Sequence, residues 1–469
     1  MKKIIYNVSL LLATGGCVLT SCSRDFTETQ FFEVEKAAPI STVEQMRSFV
    51  NGMYVKMRSG SYLGRVYKAV GQIHTDETYC TQLSGRNVPF ATYNMTSQDA
   101  DAQNAWYAIY QVIGNANIVI GASGNNLTLG GSTLTNSGAA EVKYLVGQAY
   151  AVRALAFFDL LRLYGQEYSS GNLGVVLPKE YDPNAKQARA SVDETRAQIE
   201  SDFQMALSYM GDSGNKADRT YLNGNSVKAL MSRYFLYKGD YASAAKYAEE
   251  VISSGVYSVA KAGDLQLSFS KENADNSVFE LAAGLNGALG FNAYDYLMNS
   301  EGYANIAVLP EVFSSYDKDD VRRNLIVETE GGVYFLDGKY SNMKGASNVK
   351  VVRYEEVLLN AAEAQIMLGN SSKALQYYNM IVKERNLSPL SAITLADVKK
   401  ERTKELLGEG LRYWDLLRWG SVIPYYSKAG VRETEGDKSV GDYQLAFPIP
   451  RTETLVTGSL VKANPGYDN

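Results

Sequence analysis

Apolar residues recur at three- and four-residue spacing over 41–57, 106–120, 141–164, 191–209, 225–253, 352–386 and 395–419. That is the period of helices with a buried face. Within 141–164 the stripe runs Leu145, Ala149, Val152, Ala156, Phe157 and Leu160. Ser41 with Glu44, and Ser191 with Glu194, have the spacing of capping boxes. Gly239-Asp240 and Gly369-Asn370 break two of these regions into helix pairs. Two stretches lose the period. Residues 71–101 are polar and glycine-spaced, and 255–350 carry glycines, many tyrosines and short apolar runs such as Val278-Phe279-Glu280-Leu281. The pattern predicts a mainly α fold, in which helical hairpins form a scaffold with long irregular loops and a few short strands.

The two broken pairs repeat each other. A shift of 130 residues places Gly239 on Gly369, Ala244 on Ala374, Tyr247 on Tyr377 and Val251 on Ile381. Small residues let antiparallel helices approach while tyrosine fills the next groove. That is the grammar of a tetratricopeptide-like hairpin, without its full consensus.

The N-terminus departs from this pattern. Lys2 and Lys3 precede an apolar run interrupted by Tyr6, Asn7, Ser9, Thr14 and Gly15-Gly16, and the run ends in Leu19-Thr20-Ser21-Cys22. It is too short and too polar for a good transmembrane helix and has the layout of a secretory signal. Leu-Thr-Ser-Cys resembles a lipobox. The resemblance implies a signal peptide over 1–21 and lipidation of Cys22 by diacylglycerol and a further acyl chain such as palmitate. Several chains, at about 0.8 kcal/mol per buried methylene, anchor a protein without a span. Residues 22–40 then read as an anchored linker, and 41–469 as one α-helical domain.

Composition narrows the chemistry. A net charge of −5 supplies no basic field for nucleic acid. With Cys17 in the signal and Cys22 lipidated, Cys80 stands alone, so no intramolecular disulfide is expected. One histidine, His74, nearly removes His-containing zinc motifs and Ser-His-Asp triads, and it reads as a packed or surface side chain. No metal site and no cofactor are expected. Asp317-Lys318-Asp319-Asp320 lacks the glycine and terminal glutamate of a calcium loop and reads as a solvated acidic turn.

The C-terminal third holds the most specific signal, Arg402-Thr403-Lys404-Glu405-Leu406-Leu407-Gly408-Glu409-Gly410-Leu411-Arg412-Tyr413-Trp414-Asp415-Leu416-Leu417-Arg418-Trp419-Gly420. It resembles a motif of the RagB/SusD family of outer-membrane lipoproteins. So do Phe447-Pro448-Ile449-Pro450, Asn464-Pro465-Gly466-Tyr467, the helix from Val352 to Ala364 and the helix from Arg153 to Gly165. Read on its own chemistry, the motif is structural. Asp415 and Arg418 lie three apart and can pair, as can Glu409 and Arg412. Trp414 and Trp419 are apolar anchors, and Glu405 completes a packed, salt-bridged corner with no catalytic residue.

The family resemblance implies a SusD-like fold and a lipid-anchored outer-membrane protein facing the cell exterior. It further implies a lid on a TonB-dependent, SusC-like transporter, passing a nutrient inward. The ligand so implied is an oligosaccharide, with a peptide as the alternative. Sugar capture uses aromatic faces beside polar groups. The 71–101 stretch offers Asp76, Tyr79, Arg86, Asn87, Phe90 and Tyr93, and the 288–305 stretch offers Phe291, Asn292, Tyr294, Tyr296 and Tyr303. Only 3 Trp are present, and Trp106 reads as packing, so a tryptophan-stacked pocket is not expected. An enzyme would need a carboxylate pair about 5–9 Å apart, and no local motif points to one. A structural or adhesive surface protein is the remaining reading, since helical hairpins often bind protein.

Overall fold

A computed structural model describes residues 39–211, 217–456 and 458–467. The expected signal peptide, Cys22 and the linker up to residue 38 lie outside the described residues.

The longer helices are α1 (Val43–Met57), α2 (Val66–Ile73), α3 (Ala100–Gly121), α4 (Asn136–Tyr164), α5 (Val192–Met210), α6 (Gly224–Lys238) and α7 (Tyr241–Ser253). The short α8 (Tyr294–Met298) precedes α9 (Tyr354–Met367), α10 (Ser371–Val382), α11 (Leu395–Leu406) and α12 (Arg412–Arg418). Consecutive helices pack as hairpins, α4 with α5, α6 with α7 and α9 with α10, and α9 also lies on α7, so the two repeated hairpins stack. In each, the turn glycine has positive φ, 83° at Gly239 and 81° at Gly369, a region that favours glycine. Ala244, Ala374, Val251 and Ile381 are fully buried behind those turns. The 29-residue α4 is long and apolar enough to cross a bilayer, but it is a buried core helix. A bidentate pair of buried side chains, Arg153 and Asp202 at 2.7–2.8 Å, clips it to α5.

The strands are β1 (Thr78–Cys80), β2 (Thr128–Leu129), β3 (Ser132–Thr133), β4 (Ser277–Leu281), β5 (Ile306–Val308), β6 (Val327–Glu328), β7 (Tyr334–Phe335) and β8 (Val349–Arg353). They form a four-stranded antiparallel sheet, β1-β5-β7-β6, and two ribbons, β2-β3 and β4-β8.

Three expectations need correction. The first helix is capped one residue later, by Thr42 with Gln45 instead of Ser41 with Glu44. That frame turns Val43, Met46 and Val50 into the core. Val352 and Arg353 end a strand and do not start a helix. The 395–419 region is two helices, because Gly408 (φ 80°) and Gly410 (φ 74°) break it. A Cβ on Gly71 of α2 would lie 1.9 Å from the Gly410 carbonyl oxygen, so both backbones pack at contact distance there.

The 71–101 stretch is no open loop either. It contains the end of α2, β1 and a one-turn helix, Val88–Ala91, and most of its first half is buried. Its polar residues find partners far along the chain, where local pattern cannot show them.

Candidate functional site

The C-terminal motif forms a buried ion-pair network. Glu405 receives Arg385 at 2.8 Å, Arg322 at 3.0 Å and Arg353 at 3.1 Å. Burial alone raises its pKa, but the three guanidinium groups overcome that and hold it well below the carboxylate range. Asp320, expected in a solvated turn, is buried against Arg322 at 2.7 Å. Glu409 does not pair with Arg412. Burial opposes its ionisation, yet Arg353 (2.6 Å) and Lys339 (2.7 Å) hold it at about 2. Arg412 turns away, to both oxygens of Asp76 at 2.7 Å. Asp415 pairs with Arg418 at 2.8 Å as its spacing suggests, and with Arg402 at 3.0 Å; against its burial these hold it at about 2. Trp414 is buried against Tyr67, and the Trp419 indole N–H donates to Glu363 at 2.8 Å.

Several expected ligand residues are consumed by packing. Asp76 is held by Arg412. Tyr79 is buried in β1 under Gly430. Asn87 donates to Asn305 at 2.9 Å. Phe90 is buried, and with Tyr93 it encloses His74: the Tyr93 ring stacks at 4.0 Å and the Phe90 edge meets it at 4.6 Å. Burial pushes the His74 imidazole down to about 4, and the Cys80 thiol up to about 11. Tyr294 is buried, and its hydroxyl donates to the Gly408 carbonyl at 3.0 Å, beside that of Tyr340 at 2.7 Å. Trp106 packs edge-on against Tyr164.

The rest converge on the surface. Antiparallel pairing of β1 with β5 sets the loop after β1 beside the loop before β5. Hydrogen bonds from Thr81 N to Asn305 O (2.9 Å) and from Asn305 to Ser84 (2.9 Å) fix them. This register places the Arg86 guanidinium over the Tyr303 ring, 4.6 Å from its centroid, with a bond of 3.2 Å to its hydroxyl. Tyr303 is tied to α8 by its N–H to the Tyr296 carbonyl at 2.7 Å. Tyr303 meets Tyr296 edge to face at 4.7 Å, and Tyr296 meets Phe291 at 5.0 Å. Phe291 is 64% exposed, and Asn292 beside it is exposed. A row of three rings ending in a guanidinium therefore stands on the surface, built from both stretches that the sequence singled out.

Sequence reading missed Arg65, from the turn before α2. A Cβ on Gly60 would lie 3.1 Å from the Asn292 carbonyl and 3.8 Å from Arg65 Nε, so Gly60 lies between Arg65 and the segment that carries Phe291. The neighbours of Arg65 in sequence, Tyr62-Leu63-Gly64, carry no motif that marks it. Behind the same segment, a cavity of about 40 Å³ is lined by Arg58, Lys68, Tyr294, Asp295, Lys339 and Glu409. Burial pushes Lys68 down to about 8 and Asp295 up to about 6. Among the described residues no group of three metal-ligating side chains gathers.

Fold and surface together define an α-helical hairpin protein whose irregular insertions carry its exposed aromatic surface. Comparison with known proteins places that architecture. Residues 333–467 match the SusD family, and residues 30–236 match a family described as starch-binding and associating with the outer membrane. SusD-like protein P2 of Formosa agariphila is 24% identical over the whole of both chains. A SusD superfamily protein from Bacteroides vulgatus superposes with a TM-score of 0.81 at 27% identity, over 92% of this chain and 100% of that one. Surface glycan-binding protein A from Bacteroides fluxus shares the fold with a TM-score of 0.71 at 21% identity, over 91% of this chain and 100% of that one. The chain belongs to the SusD-like family.

Proposed function

We propose that this protein is a carbohydrate-capturing lipoprotein of the outer membrane. In this reading Cys22 carries the lipid, residues 41–469 act as one ligand-binding unit outside the cell, and the captured oligosaccharide passes to a TonB-dependent, SusC-like transporter. The observation that carries it is the row Phe291, Tyr296, Tyr303 and Arg86. Aromatic faces receive the C–H surface of pyranose rings, and guanidinium, amide and phenol groups serve hydroxyls. The printed names and family descriptions of the relatives, starch-binding and glycan-binding, support the same ligand class. Asp76, Tyr79, Asn87, Phe90, Tyr93 and Tyr294 drop out of the proposed contact set, because packing and hydrogen bonds occupy them.

Binding, not turnover, is the reading these groups support. The carboxylates of the family motif are held ionised, which suits no general acid, and their oxygens are engaged by buried arginines, which leaves them unfit to attack as nucleophiles.

Tyr296→Ala tests the proposal. Tyr296 joins the two other rings, so its removal breaks the row. The expected result is about a tenfold loss of oligosaccharide affinity by calorimetry, the order of one aromatic anchor, with an unchanged circular dichroism spectrum. Full affinity in the variant overturns this site, and no binding to any glycan overturns the ligand class.

A further inference from the structure

We infer that the ligand of this platform carries an anionic group, a uronate carboxylate or a sulfate ester, received jointly by Arg65 and Arg86; the inference rests on the carbohydrate reading above. Three observations carry it.

First, the charges at the platform do not balance. Among the described residues no carboxylate pairs with Arg86, whose guanidinium rests on the Tyr303 ring and touches its hydroxyl. Arg65 meets one carboxylate, Asp101 at 3.2 Å, and that side chain is 35% exposed. Burial opposes the charge on Arg65, and the charge on Arg86 opposes it further. This is two cations against one partly solvated anion, in a protein whose net charge is −5.

Second, the C-terminal corner treats its guanidinium groups differently. Arg322, Arg353 and Arg385 are each met by two or three carboxylates. Burying a guanidinium without its counter-charge is costly, and in that corner carboxylates neutralise it.

Third, Arg65 is 7% exposed and its Nε–H has no acceptor. That atom and the Asn292 carbonyl flank Gly60, 3.8 and 3.1 Å from where its Cβ would stand, near the Phe291 end of the aromatic row. A guanidinium offers donors and no acceptor. An uncharged sugar hydroxyl supplies one weak acceptor, whereas a carboxylate or sulfate supplies several in the fork geometry that arginine matches. The aromatic row then holds the sugar ring, and the two arginines read its substituent.

The test is a glycan array with neutral, uronate-containing and sulfated oligosaccharides, read with the purified full-length protein and its Arg86→Met, Arg86→Lys and Tyr296→Ala variants. The expected hits come from the uronate or the sulfated arm, and the arm names the anion. For the best hit, Arg86→Met should lower affinity about ten- to a hundredfold, the worth of a charge-assisted hydrogen bond, with Arg86→Lys between. Added salt should weaken the wild-type complex, a readout that needs no variant. Neutral hits lost in Tyr296→Ala but kept in Arg86→Met overturn this inference and leave the platform standing. Acidic hits that keep their affinity in Arg86→Met overturn it too. No glycan bound overturns the carbohydrate reading and this inference with it, and glycan binding indifferent to Tyr296→Ala overturns the platform and this inference but leaves the ligand class standing.

Discussion

The C-terminal corner and the surface platform are made of the same materials, arginines set against aromatic rings, and they do opposite work. In the corner, Arg412 and Arg418 lie over Trp419 at 5.1 and 4.8 Å, but each is also gripped by a carboxylate, Asp76 or Glu363. At the platform, Arg86 lies over Tyr303 at 4.6 Å with no carboxylate to grip it. The stacking is alike; the counter-charge differs. In the corner the anion is supplied internally, and in the proposed reading the platform's anion comes with the ligand. The corner joins the 320–353 segment, α9, α11 and α12 through buried ion pairs.

The largest test of this contrast is Glu405→Ala. It leaves Arg322, Arg353 and Arg385 buried around a missing anion, and breaking a buried pair from one side costs about 3–5 kcal/mol. Chemical denaturation should show that loss, while affinity per folded molecule at the platform stays unchanged. A loss below about 1 kcal/mol would mean that the network relaxes, and the corner would lose its claim as the fold's clamp.

Acid should open the same corner in a defined window. A carboxyl whose folded pKa lies below its unfolded value stabilises the fold above the unfolded value and loses that contribution as pH falls. Glu409 drops from 4.5 to about 2, and Asp415 from 3.8 to about 2. Their joint contribution, on the order of 5 kcal/mol at neutral pH, should disappear between about pH 4.5 and pH 2. Asp415→Asn should flatten the slope in that window and leave it untouched above pH 5. An equal slope in the variant would remove Asp415 from the acid response.

How far the sequence could anticipate this contrast depends on where partners lie. Helices were legible because their signals are local. The Ser191 and Glu194 box forms as spaced, and the 130-residue repeat superposes its turn glycines and buried faces. The first cap slipped by one because Ser41-x-x-Glu44 and Thr42-x-x-Gln45 obey the same rule, and only the packing of Val43 and Met46 decides between them. Asp76 was misplaced because its partner, Arg412, is 336 residues away. Glu409 was misassigned to Arg412 for the converse reason: adjacency on paper does not survive the break at Gly410. The platform was half legible. Tyrosines and Arg86 in irregular stretches marked the segments that meet there, but the β1–β5 register brought Arg86, Phe291, Tyr296 and Tyr303 together from among their neighbours. Arg65 had no local mark at all.

The smallest expected effect on stability is the sharpest on the contrast. Phe291 is 64% exposed and lies at the open end of the row, touching Tyr296 on one edge. Removing an exposed ring outside any cap, pair or core leaves stability within about 0.5 kcal/mol of wild type. An aromatic ring left in water in a short irregular segment contributes little to folding, and the proposed function gives it a ligand to meet. Phe291→Ala should therefore weaken oligosaccharide binding severalfold with no shift in the unfolding midpoint, the reverse of Glu405→Ala. If stability falls and affinity does not, Phe291 belongs with the packing residues, and the platform shrinks to Tyr296, Tyr303 and the two arginines.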